Sequence, residues 1–87
     1  MTDLMAEQIL NIDRMEQAVA LFGSFDSNIK QIENAYSVTV TVRGGEMKIS
    51  GDAENVSRAA RAVNSLLLML NKGETLNEQN VGSVLSL

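Results

Sequence analysis

The stretch Phe22-Gly23-Ser24-Phe25-Asp26-Ser27-Asn28-Ile29-Lys30 sets a glycine and small polar residues directly ahead of an apolar-periodic run. Two chemistries fit that order. A glycine lets backbone N–H groups at a helix start come close to an anion, so the loop can grip a phosphate. The same residues also make a plain turn between two helices, with Asp26 or Ser27 accepting hydrogen bonds from the first backbone N–H groups. Phe25, at the loop tip, can stack on a base or fold back onto the core. Asp26 sets a carboxylate where a phosphate would approach, which is repulsive. Lys30, Arg43 and Lys48 are the basic residues that a following helix and a later hairpin can bring to the same ligand. Isolated exposed cations serve equally well as solubilising charges. The residues that the phosphate-gripping reading would draw on, as a candidate nucleic-acid set, are Gly23, Ser24, Phe25, Asp26, Asn28, Lys30, Arg43 and Lys48.

Other chemistries are excluded by residue type. The 87 residues include no His and no Cys, which removes Ser-His and Cys-His nucleophile systems, the usual zinc sites and any disulfide framework. Asp13 and Glu16 could suggest paired-carboxylate catalysis, but their spacing is that of a helix capping box. Met15, Met47 and Met69 fall at packing positions rather than in a ligand cage. No catalytic or metal-binding residues are assigned, and the chain is expected not to be an enzyme by itself. Seven Lys plus Arg against 11 Asp plus Glu give a net charge of -4, so any affinity for nucleic acid must come from a local patch.

These residues have to be positioned by a small number of elements. An apolar content of 45% in 87 residues is enough for one compact domain. Gln8–Ile12 reads as a strand. Asp13 and Glu16 then open a helix whose apolar positions Met15, Ala18, Val19 and Phe22 share one face, with Gly23 as its stop. A second helix begins at Asp26 or Ser27, with Ile29, Ile32 and Tyr36 on its inner side. From Val38 the period changes to two. Val38, Val40 and Val42 point one way, Gly44-Gly45 makes a two-residue turn, and Met47 and Ile49 resume the alternation. That loop length pairs Arg43 with Glu46, Val42 with Met47, Thr41 with Lys48, and Val40 with Ile49. Gly51-Asp52 ends the strand and caps a long helix, Ala53 to about Asn71, closed by Gly73. Its stripe is Val56, Ala59, Ala60, Val63, Leu66, Leu67 and Leu70, and Arg58 and Arg61 form its one basic patch. Thr75 and Glu78 repeat the capping-box spacing ahead of a short last helix carrying Val81, Val84 and Leu85.

Strand, helix, tight glycine-containing loop, helix, strand, turn, strand, helix is the order of a type I KH domain. KH domains carry a pattern like I-G-x-x-G-x-x-I-k-x-I-e, which reads here Phe22-Gly23-Ser24-Phe25-Asp26-Ser27-Asn28-Ile29-Lys30-Gln31-Ile32-Glu33, lacking the second glycine. Taken with "VTVTVRGGEMKISGD" and the following Ala/Leu-rich helix, residues 9 to 87 resemble the N-terminal domain of PhoH-like (phosphate-starvation-inducible) P-loop ATPases. The resemblance implies an α+β, KH-like fold with a three-stranded sheet packed on three helices and an extra short C-terminal helix. Its segments would be a disordered N-terminus over 1–7, the KH-like domain over 8–73, and a C-terminal helix or linker over 74–87 toward a missing ATPase domain.

The function so implied is a module that positions single-stranded RNA for that ATPase, the alternative being an interaction module that scaffolds or regulates it without touching RNA. No G-x-x-x-x-G-K-[ST] motif occurs in the chain, so ATP and Mg are expected only for the missing domain. The expected partners are single-stranded RNA, the protein's own ATPase domain and further copies of the full-length protein. The N-terminal stretch lacks the charge and apolar block of a secretory signal, and the longest apolar run is Leu66–Leu70, far short of a membrane span. A bacterial, cytoplasmic protein with no membrane contact is the expectation.

Overall fold

The computed structural model describes residues 5–12, 14–23 and 26–86. Its elements run β1 (Met5–Asn11), α1 (Met15–Phe22), α2 (Ser27–Tyr36), β2 (Thr39–Arg43), β3 (Glu46–Asp52), α3 (Ala53–Asn71) and α4 (Glu78–Leu85). The strands form one antiparallel sheet in the order β1-β3-β2. The fold is the expected α+β, KH-like arrangement, with helices covering one face of the sheet.

The hairpin follows from its turn. Gly44 and Gly45 both take positive φ, at 58° and 81°, the pair of left-handed positions that a two-residue primed turn requires. The register is then fixed as the sequence predicts: Arg43 faces Glu46, Val42 faces Met47, Thr41 faces Lys48 and Val40 faces Ile49. On the other side of β3, β1 pairs from Met5 opposite Asp52 to Asn11 opposite Glu46. It begins ahead of the Gln8 start read from the sequence, because β3 continues through Gly51 and Asp52 and supplies ladder partners for Met5, Ala6 and Glu7. Beyond the strand, the Ile12 N–H donates to the Gly45 carbonyl at 2.8 Å, tying the chain to the hairpin turn.

The core lies between the inner sheet face and the helices. Val40, Met47 and Ile49 from the hairpin meet Leu21, Ile32, Val56, Ala59, Val63, Leu66 and Val81, all buried. The α3 stripe matches the 3.6-residue pattern, and the helix ends with paired bonds from Gly73 N–H to Leu70 and from Glu74 N–H to Met69. Helix α4 joins the core through the fully buried Val81. The Tyr36 hydroxyl donates to the Leu85 carbonyl, linking the C-terminal ends of α2 and α4. No described helix is long and apolar enough to cross a membrane.

Several local expectations are corrected. In α1, Val19 is 63% exposed while Leu21 is fully buried, so the helix is rolled to bury the larger side chain alongside Ala18 and Phe22. Helix α4 is capped not by Thr75 but by Asn77, whose side chain accepts from the Asn80 N–H at 2.8 Å. Thr75 instead gives its carbonyl to the Asn80 side chain. At the start of α3, Asp52 holds the cap position without a side-chain hydrogen bond. Arg14 holds that position in α1, also without one. The capping residue read there, Asp13, lies outside the described residues, as do residues 1–4 and the side chains of Met15 and Glu78.

Ile49, central in the sheet and fully buried, should be a sensitive core position. Ile49→Ala is expected to destabilise the domain by about 2–5 kcal/mol, read from the urea unfolding midpoint at unchanged slope.

Candidate nucleic-acid interface

The turn between α1 and α2 is built on a close contact. At Gly23, φ is 78°, and its N–H closes α1 by donating to Val19 at 3.2 Å. A Cβ added there would stand 2.8 Å from both Cγ and Nδ2 of Asn28 and 3.0 Å from Oγ of Ser27. Glycine is therefore needed for two reasons, its left-handed backbone and the Asn28 amide packed against it. Asn28 is 1% exposed; its Nδ2 donates to the Ala20 carbonyl at 3.3 Å, tying the first turn of α2 to the last turn of α1. Its Oδ1 is buried and has no hydrogen-bond partner among the described residues.

Asp26 occupies the place of the missing second glycine and keeps a glycine-like backbone, with φ 60° and ψ 26°. Its N–H donates to the Gly23 carbonyl at 3.3 Å. It stands at the N-cap of α2 but makes no side-chain hydrogen bond there, which corrects the reading of Asp26 as a capping acceptor. Aspartate and asparagine are among the few non-glycine residues that enter this left-handed region without severe strain. The carboxylate is left exposed.

Beside this turn lies a shallow groove of about 240 Å³, lined by Phe22 from α1, Asp26 and Ile29 from α2, and Val40 and Val42 from β2. Its floor is apolar and its mouth carries the Asp26 carboxylate. Val42, placed with the inner face by its alternation, is nonetheless 39% exposed. The wall is fixed by Glu33, whose Oε2 accepts from the Val40 N–H at 2.9 Å and so clasps α2 to the open edge of β2.

The predicted residues are only partly brought together. Gly23 and Asp26 form the turn beside the groove, and Asn28 lies beneath it as an internal brace rather than at the surface. Ser24 and Phe25 lie outside the described residues. Lys30 is exposed on α2. Arg43 and Lys48 belong to a second depression of about 550 Å³ on the outer sheet face, with Ile9, Thr41 and Glu46, and Val42 shared between the two. There Lys48 pairs with Glu7 at 3.5 Å. Phe22, Ile29, Val40 and Val42 were legible only as apolar positions. What marks them as groove residues is that the fold brings the end of α1, the start of α2 and β2 together around one depression.

A comparison with known proteins extends the resemblance seen in the sequence. The chain is 31% identical over 81 residues to a PhoH-like protein of Bacillus subtilis, covering 93% of this chain and 25% of that protein. It is 33% identical over 63 residues to a PhoH-like protein of Mycobacterium leprae, covering 72% of this chain and 18% of that one. The chain thus spans a quarter or less of the curated relatives it matches. No protein-family model matches it. Among solved structures, Dim2p from Pyrococcus horikoshii OT3 superposes with a TM-score of 0.77 at 18% identity, covering 98% of this chain and 50% of that one. The first KH type I domain of human Vigilin superposes with a TM-score of 0.70 at 15% identity, covering 85% and 82%. A further match is the a/eIF2alpha–aDim2p–rRNA complex from Pyrococcus horikoshii OT3, with a TM-score of 0.77 at 18% identity, covering 98% of this chain and 47% of that one.

Two substitutions separate the roles of the turn residues. Gly23→Ala is expected to destabilise by about 2 kcal/mol, since it adds a clash with Asn28 to an unfavourable φ. Asp26→Gly should change stability by less than about 1 kcal/mol and raise it if anything, because the backbone is already glycine-like and no cap bond is lost. Thermal unfolding of both variants checks the pair.

Proposed function

We propose that this KH-like domain, similar in sequence to PhoH-like proteins, binds single-stranded RNA in the groove beside Gly23 and positions it for the ATPase of a longer protein. The observation that carries the reading is an apolar groove directly beside the turn at the start of α2, where half-buried Phe22 and the 39%-exposed Val42 meet the buried Ile29 and Val40. Bases laid on that floor would bring their backbone to the turn and the first N–H groups of α2, where a helix start favours anionic groups. Single-stranded RNA suits such a surface because its unstacked bases can be splayed into a shallow apolar groove. The match to aDim2p seen with rRNA supports the same use of the fold. ATP and Mg²⁺ would be bound by the ATPase, not by these residues.

A second reading is favoured by one specific observation, the exposed Asp26 carboxylate at the groove mouth in a chain of net charge -4. On that reading the groove takes a protein segment, and the domain scaffolds or regulates the ATPase without RNA.

NMR titration with a short single-stranded RNA decides between them. Saturable shifts at Phe22, Gly23, Asp26 to Ile29, Val40 and Val42 are the expected result, and no shifts at millimolar RNA would rule out the first reading. Asp26→Gly should then tighten RNA binding about threefold at low salt, since like charges about 6 Å apart in water repel by roughly 0.7 kcal/mol. The gain should shrink as salt is added.

A further inference from the structure

Apart from the groove, and sharing no residue with it, a cleft of about 480 Å³ is lined by α2, α3 and α4. Arg58, Arg61 and Ser65 line it from one face of α3, at spacings of three and four residues. Tyr36 closes it from the end of α2, and Val84 and Leu85 from the end of α4. We propose that this cleft is a binding site for a phosphate ester of about mononucleotide size, held by Arg58 and Arg61.

Charge is the first argument. The chain carries seven basic residues and 11 acidic ones, yet two of the seven meet in this cleft and none of the described residues lining it is acidic. Arg58 spends one nitrogen on Glu54, one turn back on α3, at 2.8 Å, and keeps its other donors. Arg61 makes no hydrogen bond or ion pair among the described residues. Two guanidinium groups one helical turn apart present planar pairs of donors, the geometry that suits phosphate oxygens, and the Ser65 hydroxyl adds a neutral donor.

The rest of the cleft distinguishes an ester from a bare ion. Helices α2 and α4 both end here, and the carbonyls of their last turns carry the negative end of each helix dipole. A bare anion would be pushed away from that wall. A ligand bringing hydroxyl or amino donors along with its phosphate would satisfy both sides. The Tyr36 hydroxyl already spans the gap to the Leu85 carbonyl at 3.5 Å, and its ring with Val84 gives the ligand's flat or apolar part a surface. The volume lies in the range of small-ligand sites, well above what a phosphate alone fills. None of this depends on RNA binding in the groove.

The test is an NMR titration of the 87-residue chain with adenosine 5′-monophosphate, with inorganic phosphate and adenosine as separate arms. The expected result is saturable shifts at Ala35, Tyr36, Arg58, Arg61 to Ser65 and Val84 to Leu85, weaker or absent with either half alone. Arg61→Gln should weaken the binding about tenfold at an unchanged melting temperature, as loss of a charge-assisted contact does. Lys72→Gln, the same charge change at a distant exposed site, should not. Equal binding of inorganic phosphate would overturn the ester assignment. Shifts confined to the groove, an Arg61→Gln variant that binds as well as the parent, or no shifts at millimolar nucleotide would overturn the site.

Discussion

The contact of Asn28 with the bare Cα of Gly23 is the constraint on which the groove side of this domain depends. Two helices can meet in so short a turn only if something fills the corner, and a polar side chain filling it must find partners. Asn28 solves half of that problem by donating to Ala20, and its Oδ1 has no partner among the described residues. The packing around Gly23 leaves no space for a Cβ, so the glycine is set by its neighbour as much as by its own φ. Everything that faces the groove from α2 inherits its position from this corner.

Asp26 separates two properties that a glycine combines. The left-handed backbone of the turn is kept, while an exposed negative charge is added. At Asp26 the backbone is one that a glycine would take, while the charge is one that a glycine would not bring. An exposed carboxylate beside the apolar floor disfavours an anionic group at the turn. Arg43 and Lys48 are turned to the outer sheet face by the alternation of their strands, the consequence of a period of two that no local charge preference can override.

Much of the fold could be read directly because its signals are local. The Gly44-Gly45 turn sets the hairpin register pair by pair, and the α3 stripe repeats over enough turns to be unambiguous. The places where the reading moved are those where tertiary packing arbitrates. Over eight residues, α1 has two nearly equivalent apolar faces, and only the neighbouring helices decide that Leu21 rather than Val19 is inside. Helix starts were legible as positions but not as bonds, since Asp26 and Asp52 stand at caps without capping, and Asn77 took the role read for Thr75. The groove was legible as a glycine-bearing turn and a run of valines. That Val42 is 39% exposed at its edge depends on how α1, α2 and β2 come together, which no periodicity records.

The Glu33 carboxylate on the Val40 N–H has an effect on association as well as on shape. Strand β2 lies at the edge of the sheet, and an unpaired row of backbone donors there invites another extended chain to add on. With one of those donors already taken by a side chain from above, an incoming strand would have to displace the carboxylate and lift α2 before it could pair. The groove is thereby kept for ligands that lie across it rather than for peptides that would extend the sheet, and the molecule is shielded on that flank from edge-to-edge aggregation.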